Sequence, residues 1–183
     1  CHVVPENFPP YAGRNANLGD IQLPDNHLSL NVAGDITAPD KVVVGGFTLG
    51  RGNWRQVATL TELPAFSASD FRLAGGTFVR ATGGDGTTAA TPYLLTDVYG
   101  LQGMGTLLSG HFTLANDIDA SGTATWNSGA GFTPVGGNGF YFIGSLDGQD
   151  HAISGLVIDR PGVSYIGLFG NANFLQQRDR TFP

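Results

Sequence analysis

Cysteine is almost absent from the chain. Cys1 is the only one, so no disulfide closes within it and the fold rests on packing and hydrogen bonding. Cys1 itself reads as a lipid-modified mature N-terminus, a free thiol or a remnant of cloning. Glutamate is nearly missing too, at Glu6 and Glu62, and charged residues of all kinds make up 13% of the chain. That scarcity excludes ordinary surface helices, which are rich in Glu and Lys. Only nine lysines and arginines are present, scattered, against a net charge of -6. Nucleic acid is therefore not an expected partner, because its binding draws on clustered cations that neutralise phosphates. No run approaches the ~18 apolar residues that cross a bilayer, so an integral membrane protein is not expected. No basic-apolar-small leader is visible either, and the chain reads as processed or excerpted.

What is present is glycine, at 28 of 183 positions, together with 41% hydrophobic residues. This is the composition of a β-protein with many turns. Residues 1–16, with Pro5, Pro9 and Pro10, lack any period and read as an extended leader or cap. From Leu18 onward, short β-like runs alternate with Gly, Asn, Asp and Pro clusters: Leu28–Val32, Lys41–Val44, Phe47–Leu49, Phe71–Leu73, Thr77–Val79 and Tyr93–Leu95. Each run is too short for a helix.

One bulky-x-bulky triplet recurs: Leu28-Ser-Leu30, Phe47-Thr-Leu49, Phe71-Arg-Leu73, Tyr93-Leu-Leu95 and Phe112-Thr-Leu114. Weaker echoes stand at Phe132-Thr-Pro134 and Ile153-Ser-Gly155, and the steps are 19, 24, 22, 19, 20 and 21 residues. A β-solenoid needs such a period, since each coil holds two or three short strands before returning one strand spacing higher. A Gly-rich β-sandwich also has regular short strands, but usually at closer spacing. The reading is an all-β right-handed parallel β-helix, a single-stranded solenoid of about 20–24 residues per coil over 17–170, with an atypical tail over 171–183 that is a cap or a disordered end. Gly34-Asp-Ile36 and Asn116-Asp-Ile-Asp119 fit its corners.

Candidate sites are few. His111, His151, Asp117, Asp119 and Asp147 show no recognised metal-ligand spacing. Asp147-Gly-Gln-Asp-His151 gathers two carboxylates and an imidazole on one turn, but Asp-Gly is also turn chemistry. Gly83-Gly-Asp-Gly86 lacks the Lys-Ser or Lys-Thr of a phosphate loop. Asn116, Asp117 and Asp119 would form a weak calcium site if oxygens from adjacent coils converged on them, calcium being the one cofactor considered. Trp54, Trp126 and Tyr141 would form a ligand surface for sugars if exposed on one lateral face. No catalytic residues are assigned. The aromatic runs Phe140-Tyr-Phe142 and Tyr165–Phe169 are expected to stack in the core.

Residues Tyr93–Gln102, Leu108–Ala120, Trp126–Gly136, Gly144–Leu156 and the closing Gly167-Leu-Phe-Gly170 together resemble the passenger region of filamentous-haemagglutinin-like adhesins exported by two-partner secretion. Asn53-Trp54, Pro64-Ala-Phe66 and Phe78-Val-Arg80 carry the likeness more loosely. The chain departs from that family after Gly170, where no further coil is evident, and it lacks the family's Asn-Pro-rich secretion domain. The resemblance implies a right-handed parallel β-helix, secreted to the bacterial cell surface or beyond, that binds a host or matrix glycan or protein without catalysis. Solenoid ends are expected to self-associate, because unpaired strand edges attract other chains. The alternatives are a self-assembling extracellular filament subunit and a carbohydrate-active β-helix enzyme, a lyase or hydrolase, for which Asp70, Arg72, Arg80 and Asp97 would line a groove.

Overall fold

The structure is a computed structural model and describes residues 15–58 and 62–173. Cys1, the leader up to residue 14 and the tail from residue 174 lie outside the described residues.

The fold is mainly β. It contains β1 (Ala16–Asn17), β2 (Ile21–Thr37), β3 (Val42–Val57), β4 (Phe66–Leu73), β5 (Thr77–Ala81), β6 (Tyr93–Leu95), β7 (His111–Leu114), β8 (Ile118–Asp119), β9 (Ser145–Asp147) and β10 (Ile153–Ser154). A short helix α1 (Val98–Gly103), capped by the Asp97 carboxylate on the Gly100 N–H, follows β6. Every strand pair among the described residues is parallel. Parallel neighbours usually need a helical crossover. Here the chain comes back beside itself by bending within its own long strands.

β3 shows how. Val42 and Val44 point inward, then Phe47 and Leu49, then Trp54 and Gln56, so the inward phase slips at Gly45–Gly46 and again at Gly50–Gly52. The glycines make the corners. Gly52 has φ 120° and Gly76, stacked on it in the next pass, has φ 75°. A side chain on Gly76 would run into the Gly52 carbonyl oxygen, so both sharp corners exclude Cβ-bearing residues.

The triplet period is matched by register in two stretches. Leu28 pairs with Phe47 and Phe47 with Phe71, while Leu30 pairs with Leu49 and Leu49 with Leu73. Tyr93 pairs with Phe112, and Leu95 with Leu114. The step from Phe71 to Tyr93 is different, because the five-stranded sheet ends at β4 and β5 and a second sheet, β6-β7-β9, begins. The outer edge of β4 is covered by side chains: the Tyr99 hydroxyl accepts from the Ala68 N–H, Thr125 donates to the Ser69 carbonyl, and Asp70 accepts from the Asn127 N–H. On β5, Thr106 accepts from the Phe78 N–H. Edges so satisfied recruit no further strand.

The last pass also departs from the 20-residue period. His111 pairs with Ser145 and Ile118 with Ile153, and Asp117 bonds His151 34 residues on. Phe132-Thr-Pro134 and Ile153-Ser-Gly155 are therefore not successive rungs of the triplet. Ile153 stacks on the Asn-Asp-Ile-Asp corner, and Phe132 is buried with its N–H on the Val157 carbonyl. The extra length is the segment of 3-10 turns Ser121–Gly129, which packs Trp126 against Phe71 and Tyr99.

The core is an aromatic column. Phe47 stacks on Phe71 with centroids 5.3 Å apart, and Trp54 on Phe78 at 5.5 Å, with Phe66 edge-on to all four. Residues one pass apart meet face to face, which is what parallel in-register pairing imposes on identical inward positions. Phe142 joins this core against Phe112 and Phe169, as expected of its run, whereas Phe140, Tyr141 and Tyr165 lie at the surface. Pairing also extends past Gly170, with Ala172 bridging to Phe142.

Polar groups inside this core are satisfied. Arg80, 5% exposed, donates to Gln56 at 2.7 Å and to Asp97 at 2.6 Å. Gln56 in turn accepts from the Trp54 indole and donates to the Ala38 carbonyl. Three passes and the start of α1 are joined through that network, and no buried side-chain nitrogen or oxygen among the described residues lacks a partner.

Candidate functional site

Outward positions stack as the inward ones do. Asp35 pairs with Asn53 and Asn53 with Thr77, one column across β2, β3 and β5. The column is hydrogen-bonded from rung to rung: Asn53 Nδ2 donates to Asp35 at 3.1 Å, and Thr77 donates to Asn53 Oδ1 at 3.1 Å. At its other end Asn15 accepts from the Asp35 N–H. Two residues further along, Arg55 pairs with the buried Val79, and Thr37 at the end of β2 lines the same side. Between them, Ile36, Trp54 and Phe78 turn inward and anchor the sheet.

These residues floor an open cleft of about 450 Å³, with Tyr93 and Leu107 as its wall. Arg55 is its one cation. The guanidinium lies over the Tyr93 ring, 5.9 Å from the centroid, and its Nη1 donates to the Tyr93 hydroxyl at 3.0 Å. No carboxylate among the described residues pairs with it. Its Nε and Nη2 edge is open to a ligand. The cleft thus offers a hydroxyl- and amide-binding column beside a held, uncommitted guanidinium.

The residues singled out in the sequence fall elsewhere. Trp54 is 0% and Trp126 1% exposed, so neither belongs to a sugar-binding platform; the aromatic column claims both rings. Tyr141 alone of the three is exposed, at 50%. Asn116, Asp117 and Asp119 form a corner. Asp117 accepts the Ala152 N–H at 2.9 Å and faces His151 at 3.3 Å, Asp119 accepts the Ser121 N–H, and Asn116 donates to the Thr96 and Asp117 carbonyls. One carboxylate oxygen of each aspartate serves the chain, and no metal-ligating cluster of three His, Cys, Asp or Glu occurs among the described residues.

Asp147 accepts from the Gln149 backbone and side chain, in keeping with turn chemistry, while His151 faces Asp117. Asp85, in the Gly83–Gly86 loop, accepts from the Thr87 N–H and from the Thr87 and Thr91 hydroxyls. It holds a turn. His111 bonds Ser145 across the β7–β9 pair.

Of the residues named for an enzymatic groove, Arg80 is withdrawn from the surface. Asp70 is paired with Arg72, and Arg80 faces the core toward Asp97. Partial burial works against ionisation of Asp70, but Arg72 and the Asn127 and Ser128 N–H groups outweigh it and hold its pKa below the ordinary value.

The cleft residues carried a signal in the sequence. Asp35-Ile-Thr37, Asn53-Trp-Arg55 and Thr77-Phe-Val79 share one bulky inward residue between two outward ones, at steps of 18 and 24 residues. Reading that triplet for its flanks would have found the column.

No family model matches the chain, and no solved structure matches it. Over 121 residues, 62% of the chain, it is 39% identical to Halomucin of Haloquadratum walsbyi, of which it spans 1% of the length. Over 90 residues, 48% of the chain, it is 37% identical to a Gly-rich membrane protein of Evansella cellulosilytica, of which it spans 10%. The sequence is therefore similar to short stretches of much longer proteins. No helix among the described residues is long and apolar enough to cross a membrane.

Proposed function

We propose that the chain is a right-handed parallel β-helix module of a secreted surface protein, a non-enzymatic adhesin or structural element that binds a host or matrix ligand through its lateral face. The observation that carries this reading is the hydrogen-bonded Asp35–Asn53–Thr77 column across β2, β3 and β5, which sets polar groups and Arg55 beside the apolar lining of an open cleft on that face. Supporting the solenoid are the parallel registers one pass apart, and right-handed connection is the strong rule for parallel neighbours. Supporting the surface setting are the names of the two relatives, Halomucin and a Gly-rich membrane protein, and the resemblance of residues 93–170 to filamentous-haemagglutinin-like passengers.

The test is adhesion of the purified chain to immobilised matrix and host-cell surfaces. Binding that drops on Asn53→Ala and Arg55→Ala, with an unchanged melting temperature, supports the reading. Adhesion indifferent to both substitutions overturns the assignment of this face.

A filament subunit is the second reading. Six large apolar side chains, Phe140, Tyr141, Ile143, Val163, Tyr165 and Ile166, stand exposed within residues 140–166, and exposed apolar area favours association. Electron microscopy of the purified chain separates the two: fibres support the filament and single particles oppose it.

A further inference from the structure

Resting on the lateral-face reading, we propose that the cleft over β2, β3 and β5 is a binding site for a carboxylated saccharide. Arg55 takes the sugar carboxylate, and the Asp35–Asn53–Thr77 column takes the hydroxyls.

The rungs of that column are carboxylate, amide and hydroxyl. They present acceptors and donors in turn at the spacing of neighbouring strands, about 4.8 Å, which is close to the length of one pyranose ring. A polyol, with a donor and an acceptor on every hydroxyl, matches such a surface; a peptide strand does not, because the site is a sheet face and offers no backbone edge. The cleft volume of about 450 Å³ suits a ligand of a few sugar rings.

Arg55 decides the charge of the ligand. The bond from Nη1 to the Tyr93 hydroxyl and the nearby ring hold the guanidinium, and Nε and Nη2 make no bond among the described residues, which leaves the fork that a planar carboxylate fills. Asp35, in the column beside it, and the net charge of -6 oppose densely charged ligands such as heavily sulfated chains. One carboxylate in the cleft, met by one guanidinium, is the balance it offers.

The probe is oligogalacturonic acid, compared by calorimetry with the same oligomer whose carboxyls have been reduced to alcohols. The full chain is expected to bind the acid and to bind the reduced form at least about tenfold more weakly, the loss of one charge-assisted pair. Arg55→Gln should weaken the acid by the same factor and leave the reduced form unchanged. Arg51→Gln, an exposed arginine outside the cleft, should change neither.

Equal binding of both oligomers, lost in Asn53→Ala, overturns the carboxylate assignment while the lateral-face reading stands. Binding of neither, with adhesion to matrix intact and still sensitive to Asn53→Ala, also overturns the saccharide and spares that reading. Loss of saccharide binding and adhesion together in the unmodified chain overturns both.

Discussion

The Tyr99 hydroxyl accepts the Ala68 N–H at 2.9 Å and donates back to the Ala68 carbonyl at 3.2 Å, 31 residues away in the chain. One phenol thus serves both backbone groups that a neighbouring strand would otherwise take. The bond is paired with packing, since the same ring lies 4.8 Å from Phe66 and 5.2 Å from Phe71 and Trp126.

Tyr99→Phe keeps the ring and removes both bonds. A destabilisation of about 1–3 kcal/mol is expected from the two groups left unpaired, with faster hydrogen exchange at the Ala68 amide. An unchanged denaturation midpoint would show that water replaces the hydroxyl at no cost.

Both tryptophans of the chain are buried. Native fluorescence should be blue-shifted and resist acrylamide quenching until the protein unfolds. Phe47→Ala, at the centre of the same column, should cost about 3–5 kcal/mol. Tyr141→Ala, at the surface, should stay within about 0.5 kcal/mol. Chemical denaturation of the two variants checks the contrast.

Acid sensitivity follows from the carboxylates at turns. The Thr87 N–H, then the Thr87 and Thr91 hydroxyls, lower the pKa of Asp85 from its ordinary 3.8 to about 2. Asp117 is lowered chiefly by the Ala152 N–H and then by His151, and Asp119 by Ser121. A folded-state pKa below the unfolded one means that this contribution is complete above about pH 4 and is lost as pH falls toward about 2. Asp85→Asn should flatten that part of the stability-pH curve, and an NMR titration of Asp85 reads the pKa directly.

Calcium should leave the melting temperature where chelator leaves it. Oδ1 of Asp117 and Oδ1 of Asp119 each accept a backbone N–H, and Asn116 presents its amide nitrogen to two carbonyls. A calcium-dependent rise in melting temperature would show that the remaining oxygens of that corner converge on the ion.

Much of the strand ladder was legible beforehand. Leu28, Phe47 and Phe71 repeat at near-constant steps because in-register parallel pairing places equivalent residues one above another. The corners were only partly legible: Gly34-Asp-Ile36, read as a corner, lies within β2 with Asp35 paired to Asn53, and the turning glycines Gly52 and Gly76 stand elsewhere. The jump between Phe71 and Tyr93 was not, because Tyr99, Thr106 and Asp70 end the sheet through side-chain hydroxyls and a carboxylate whose targets lie 28 to 57 residues away.

The candidate site was missed for a related reason. Aromatic residues in a β-sequence suit a ligand face and a core equally, and only packing distinguishes them; here Trp54 and Trp126 fill the centre. Arg55 and Arg80 stand only 25 positions apart and look alike in the chain. One is held open over Tyr93, and the other is closed around Gln56 and Asp97.

Composition and periodicity, then, determined the β-rich character and the triplet register in two stretches, since each depends on local sterics and on a repeat that strand pairing must honour. Tertiary structure alone decided where the first sheet stops, why the last pass takes 34 residues, and which arginine meets solvent. Those outcomes depend on contacts between residues distant in sequence, and no local pattern encodes their partners.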